Sequence, residues 1–152
     1  MTRLLGIDLG ERRIGLAIAD PDGRAMPLVT LDRARTLDED ATRLGQVIAQ
    51  QHVAELVVGL PLHASGAHGP QADITRAWAD AMVERLGLPL TMRDERLTSH
   101  LAEQRIGPMK RGRSGGPPTR SQRNAYRARV DREAAAIILQ DELDARAFGA
   151  QP

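Results

Sequence analysis

Three carboxylates stand where ordinary packing has little use for them. Asp8 interrupts the apolar run Leu4-Leu5-Gly6-Ile7-Asp8-Leu9. Burying a charge there without a partner is costly, so the position asks for a cation. Glu95 follows a second strand-like run, and Asp131 opens the surest part of the last helical pattern. Each has an ordinary reading when taken singly. Asp8 could cap the next turn. Glu95 could be a helix-end acid paired with Arg93 or Arg96. Asp131 could be a first-turn residue favoured by the helix dipole. Taken together, at the C-terminal ends of strands, they would form an oxygen-only set suited to a hard divalent cation such as Mg²⁺ or Mn²⁺. Without the ion, mutual repulsion would raise at least one carboxylate pKa.

The elements that must position these acids are legible from hydrophobic period. Residues 3–9 alternate, placing Leu5, Ile7 and Leu9 on one face and Leu4, Gly6 and Asp8 on the other. A tight turn at Gly10 to Arg13 leads to a second strand over 14–20. Pro21-Asp22-Gly23 is a turn signal. A third strand is expected over 24–31, with Pro27 marking an edge or bulge. Thr36-Leu37-Asp38-Glu39 has capping-box spacing and starts a helix to about residue 51. A buried strand is expected over 55–59, then a loop from Leu60 to Gly69, then a helix from Pro70 to Gly87. Its expected apolar face is Ile74, Ala77, Trp78, Ala81, Met82 and Leu86. Residues 88–94 read as a fifth strand. Thr98 can cap a short helix ending at Gly107-Pro108. A last helix is clear from about 130 to 146 and could begin near 120. On it Asp131, Ala135 and Ile138 share the face that should pack on the sheet. A meander followed by strand–helix crossovers gives an α/β fold: a mixed sheet with helices on both faces.

Composition narrows the function classes. The chain has 152 residues and a formal net charge of +1. One domain over 1–147 and a short tail over 148–152 account for that length. There is no cysteine, which excludes disulfides and thiolate zinc sites. No run has the length of a membrane helix, and the start lacks a signal-peptide pattern. Trp78, Tyr126 and Phe148 are the only aromatics. Their scarcity argues against modules that bind single strands on aromatic platforms. The small net charge hides an asymmetry. Between 105 and 132 basic residues cluster, and Asp131 is the sole acid. The Gly- and Pro-rich segment 108–119 within it reads as a mobile basic loop. Lys110, Arg111, Arg113, Arg120, Arg123 and Arg127 could hold phosphates, giving affinity and salt dependence rather than sequence choice. The alternative is a solvated charged loop. His63 and His68 in the loop after the fourth strand, and His100 near Glu95, are weaker candidates for ligation or proton transfer.

Four motifs in register carry a resemblance. They are Gly6-Ile-Asp-Leu-Gly10 with Arg13-Ile-Gly15, Val57-Val-Gly-Leu-Pro61, Asp94-Glu-Arg-Leu-Thr98, and Asp131 followed by Ala134-Ala135 and Ile137-Ile138-Leu139. In this the chain resembles the YqgF family, also called RuvX, over residues 3–143. The resemblance implies an RNase H-like fold, with five strands, three antiparallel and two parallel. It implies a cytoplasmic bacterial nuclease that matures the 5′ end of 16S ribosomal RNA from its precursor, free or in ribosomal particles, as monomer or homodimer. Asp8, Glu95 and Asp131 fall on the family's acidic positions, where one or two Mg²⁺ or Mn²⁺ ions would support phosphodiester hydrolysis. Gly10, Arg13, Gly15, Gly59 and Pro61 would shape the site, with Arg13 pairing to a nearby acid. The resolvase relatives carry two acids three residues apart on the last helix; here Ala134 takes the second place. Two alternatives remain at this point: a structure-selective resolvase of branched DNA, such as a Holliday junction, and a non-catalytic RNA- or transcription-complex-binding module. The same Asp-x-Gly hairpin opens actin-like ATPases and sugar kinases, but those need two such domains.

Overall fold

Alternating apolar residues near the N-terminus build a hairpin that becomes the middle of a sheet. The computed structural model describes residues 3–62, 69–95, 98–112 and 114–149. Strands β1 (Leu4–Leu9), β2 (Arg13–Ala19) and β3 (Ala25–Asp32) form the antiparallel meander. Strand β4 (Glu55–Pro61) adds in parallel to β1, and β5 (Leu90–Glu95) in parallel to β4. The sheet order is β3-β2-β1-β4-β5. Pro27 lies on the edge strand, where the register shifts between Leu16 and Ala17, because proline cannot donate to the ladder.

Two faces of this sheet carry different helices. Helices α1 (Leu37–Gln51) and α2 (Pro70–Leu86) cover the face of Leu5, Ile7 and Leu9 with Leu44, Val47, Trp78 and Met82. Thr36 caps α1 by accepting from the Glu39 N–H at 3.1 Å, as the capping-box spacing predicts. Helices α3 (Thr98–Ile106) and α4 (Arg120–Gly149) lie on the other face. Among the described residues no helix is long and apolar enough to cross a membrane.

The face that receives α4 is floored with glycine. A Cβ on Gly6 would stand 2.7 Å from the Ala135 carbonyl oxygen. One on Gly15 would collide with the Asp131 carbonyl, and one on Gly59 with the Ile138 side chain. The missing side chains let α4 sit directly on β2, β1 and β4, which places Asp131 over the hairpin.

Several boundaries differ from the sequence expectation. Strand β4 runs on to Pro61, because Pro61 still pairs with Glu95. Glu95 is therefore the last residue of β5 rather than a residue beyond it. Helix α2 is rolled: it buries Ala72, Thr75, Trp78, Ala79 and Met82, leaving Ile74 exposed. The Trp78 indole N–H donates to the buried Asp40 carboxylate at 3.2 Å, which sets that roll. Helix α4 takes its earliest possible start. Thr119 and Gln122 cap each other reciprocally, the Thr119 N–H donating to Gln122 Oε1 at 2.8 Å and the Gln122 N–H to Thr119 Oγ1 at 3.1 Å. The helix continues to Gly149, so it includes the first two residues of the expected tail. In the basic segment, Gly112 and Gly116 close a turn, with Gly115 at φ +78°.

Candidate active site

Asp8 points to the α4 face because period two puts it beside Leu4 and Gly6. Its neighbour across the hairpin is Gly15, and Gly59 lies on the β4 side. Neither neighbour has a side chain to cover it. Its carboxylate therefore opens into a cavity of about 170 Å³, lined also by Gly59, Pro61, Glu95, Thr98 and Ser99. Burial, and then the negative charge of Asp131, push the Asp8 carboxyl up to about 7.

Glu95 enters the same cavity from the end of β5. Burial raises its carboxyl to about 7, the adjacent Asp141 carboxyl adds to the rise, and Thr98 and Arg93 oppose it. The Thr98 hydroxyl donates to Glu95 Oε2 at 3.0 Å. Thr98, the first residue of α3, thus anchors the acid. Glu95 Oε1 is buried without a hydrogen-bond partner among the described residues; Arg93 Nε faces it at 3.7 Å, equally unpartnered.

Asp131 reaches the site from α4, and Arg13 Nε on β2 donates to its Oδ2 at 2.7 Å. The expected pairing of Arg13 with a site acid is this one. The three acids thus come to one end of the sheet, but not around one point. Among the described residues no three His, Asp or Glu side chains stand close enough to share an ion. The reason is that Asp131 is turned onto Arg13 while Glu95 is turned onto Thr98. The donor set is nonetheless all oxygen, and it includes a buried carboxylate atom that has no hydrogen-bond partner among the described residues. Asp8 and Glu95 therefore fit a hard divalent cation.

Other candidates fall as follows. The Gly10 N–H closes the hairpin turn onto the Arg13 carbonyl at 2.8 Å. Lys110, Arg111, Arg120, Arg123 and Arg127 are exposed. Two of them also hold the loop: Arg111 Nη1 donates to the Gly115 carbonyl at 3.3 Å, and Arg123 Nη1 to that of Pro118 at 2.7 Å. His100 lies beside Gln104 at 3.2 Å, on the exposed side of α3, and does not approach Glu95. Arg113, His63 and His68 lie outside the described residues.

Two features escaped the sequence reading. Asp141 lies against Glu95, and its signal was its place three residues beyond Ile138 on the packed face of α4. A charged ladder also docks α4 on β4 and β5. Arg93 Nη1 bonds Glu142 at 3.3 Å, Arg146 Nε bonds Glu142 at 2.7 Å, and Arg146 also pairs with Glu55.

Arg13→Gln should move the acidic limb of the pH–activity profile to higher pH. Without the guanidinium, the Asp131 charge acts on Asp8 uncompensated and raises its pKa further. A profile of kcat/KM that keeps its midpoint would show that Arg13 has no electrostatic part in the site.

A family model described as "RuvX: Holliday junction resolvase" matches residues 2–145. A protein of Anaeromyxobacter sp. (strain K), named "Putative pre-16S rRNA nuclease", is 43% identical over 145 residues, covering 95% of this chain and 98% of its own. A protein of the same name from Chloroflexus aurantiacus (strain J-10-fl) is 41% identical over 144 residues, 94% of this chain and 87% of its own. Among solved structures, Thermus thermophilus RuvC with a Holliday junction substrate superposes with a TM-score of 0.55 at 16% identity, over 100% of this chain and 99% of that one. This likeness shows the fold, an RNase H-like one.

Proposed function

The chain belongs to the RuvX family, and from that premise we propose that it is a metal-dependent endonuclease acting in 5′-end maturation of precursor 16S ribosomal RNA in the cytoplasm. The observation that carries this reading is the shared cavity of Asp8 and Glu95, with Glu95 Oε1 buried and without a hydrogen-bond partner among the described residues. Asp8 and Glu95 would hold a Mg²⁺ or Mn²⁺ ion. When bound, such an ion neutralises charge on the scissile phosphate and makes water a stronger nucleophile.

The chain's own residues do the rest. Asp131, oriented by Arg13, adds negative potential beside Asp8 and so favours a cation there. Thr98 fixes the rotamer of Glu95. Glycines at 15 and 59 leave room above Asp8 for a phosphodiester. The exposed cations Lys110, Arg111, Arg120, Arg123 and Arg127 hold flanking phosphates. Each such contact on a single strand should add about 0.7 to the slope of log affinity against log salt.

One preparation should be assayed on labelled precursor rRNA, unrelated single-stranded RNA and a four-way DNA junction, with Mg²⁺, Mn²⁺ or chelator. Divalent-dependent cleavage of the precursor, with the junction left intact, is expected. Preferential cutting of the junction would make the protein a resolvase. Binding without cleavage in either metal would make it a binding module.

A further inference from the structure

An open groove of about 410 Å³ lies between α3 and the first turns of α4, outside the catalytic cavity. His100, Glu103 and Gln104 line it from α3, Gly107 and Pro108 from the end of that helix, and Tyr126 from α4. The Tyr126 hydroxyl donates to the Gly107 carbonyl at 2.9 Å, which pins the half-buried ring in place. Of the three aromatic residues, Trp78 is buried in the core and Phe148 is at the far end of α4. Tyr126 is the one that walls a groove near the site.

The groove's chemistry suits one planar, polar-edged ligand. Tyr126 and Pro108 offer flat surface. Gln104 both donates and accepts, His100 does either according to its tautomer, and Glu103 accepts. Arg123, three residues before Tyr126 on α4, is an exposed cation on the same helix face, and exposed Lys110 lies two residues past Pro108 in the chain. Helix α3 contributes to both the groove and the catalytic cavity. Ser99 lines the cavity and His100, the next residue, lines the groove. From Ser99 to Gln104 the helical rise is about 7.5 Å. A strand with a phosphate in the cavity therefore brings a neighbouring base alongside α3.

We infer that this groove is a nucleobase subsite: it takes one unpaired base close to the scissile bond, stacked on Tyr126 and held at its edge by His100, Glu103 and Gln104. The inference rests on the nuclease reading above and adds to it where the strand is gripped. It also narrows the expectation drawn from the scarcity of aromatics. The scarcity argues against a stacking platform for a whole strand, whereas a single stacking position needs one ring.

The test needs no cleavage. Wild-type protein in chelator is titrated into short single-stranded RNAs that carry a fluorescent adenine analogue at successive positions. Stacking should quench one position much more than its neighbours. Tyr126→Phe should keep the quench, because the ring remains. Tyr126→Leu should remove it and weaken binding about tenfold. Tyr126 packs beside Val130 and Ala102, so circular dichroism checks that each variant is folded. If Tyr126→Leu does not fold, the exposed double variant His100→Ala with Gln104→Ala decides, and loss of the position-specific signal is expected. Tight binding with uniform fluorescence at every position overturns the subsite and leaves the nuclease reading standing. Failure to bind any of the RNAs overturns both.

Discussion

Asp8→Asn is expected to abolish cleavage, by at least about a hundredfold, while making the protein more stable at about pH 8. The two effects have one cause. The carboxyl of folded Asp8 is pushed up from 3.8 to about 7 by burial and by Asp131. Below about pH 4 it is neutral in both the folded and the unfolded chain, and costs nothing. Between about pH 4 and 7 the unfolded chain has lost the proton and the folded one keeps it, so stability falls as pH rises. Above about pH 7 the whole penalty is present. Its ceiling is about 4 kcal/mol, and less in practice because the carboxylate opens on the cavity. Asparagine carries no such charge. Thermal melts of the two proteins should therefore converge near pH 4 and separate toward pH 8, with the variant the more stable. Mg²⁺ should raise the melting temperature of the wild type and leave Asp8→Asn nearly unmoved. A variant that is destabilised at pH 8, or that cleaves at the wild-type rate, would remove Asp8 from the site.

Gly15→Ala should cost about 3 kcal/mol or more and lower activity with it. The new methyl would fall on the Asp131 backbone carbonyl, which no rotamer change can move aside. Helix α4 must lift off the hairpin, or the hairpin must bend. Either shift separates Arg13 from Asp131 and Asp131 from Asp8. Gly45→Ala is the matched control. Gly45 lies within α1, and its added methyl would meet only Leu86 Cδ2, at an ordinary 3.7 Å. That change should stabilise by up to about 1 kcal/mol, the usual gain of alanine over glycine in a helix. Chemical denaturation of the two variants measures both. Equal stabilities would mean that the glycine floor does not set the seat of α4.

Much of this was readable before the structure because it depends on local period. The facing of Asp8 follows from alternation in β1, and the Thr36 cap from a four-residue spacing. The shared face of Asp131, Ala135 and Ile138 follows from helical spacing, and the glycines beneath them bear it out. The structure departs from local period where a partner from elsewhere in the chain decides. The roll of α2 answers to Asp40, a residue on α1. The sequence places the end of β4 at Gly59, because Leu60 and Pro61 look like the start of a loop. Pairing with β5 carries it two residues further.

The amino-acid sequence by itself determined which residues could do chemistry: an acid on an otherwise apolar strand, a second at the end of another strand, a third on the packed face of the last helix, and a basic segment nearby. Composition and period suffice for that, because both act over a few residues. Only the tertiary structure decided how those acids are held. The crossing of α4 over the sheet assigns Asp131 to Arg13, sets Asp141 against Glu95, and draws Arg93, Glu142, Arg146 and Glu55 into one ladder. Apart from Glu142 and Arg146, four residues apart on α4, these partners are separated by tens of residues in the chain. Which charge meets which depends on how closely a helix can approach a strand, and here glycine sets that distance.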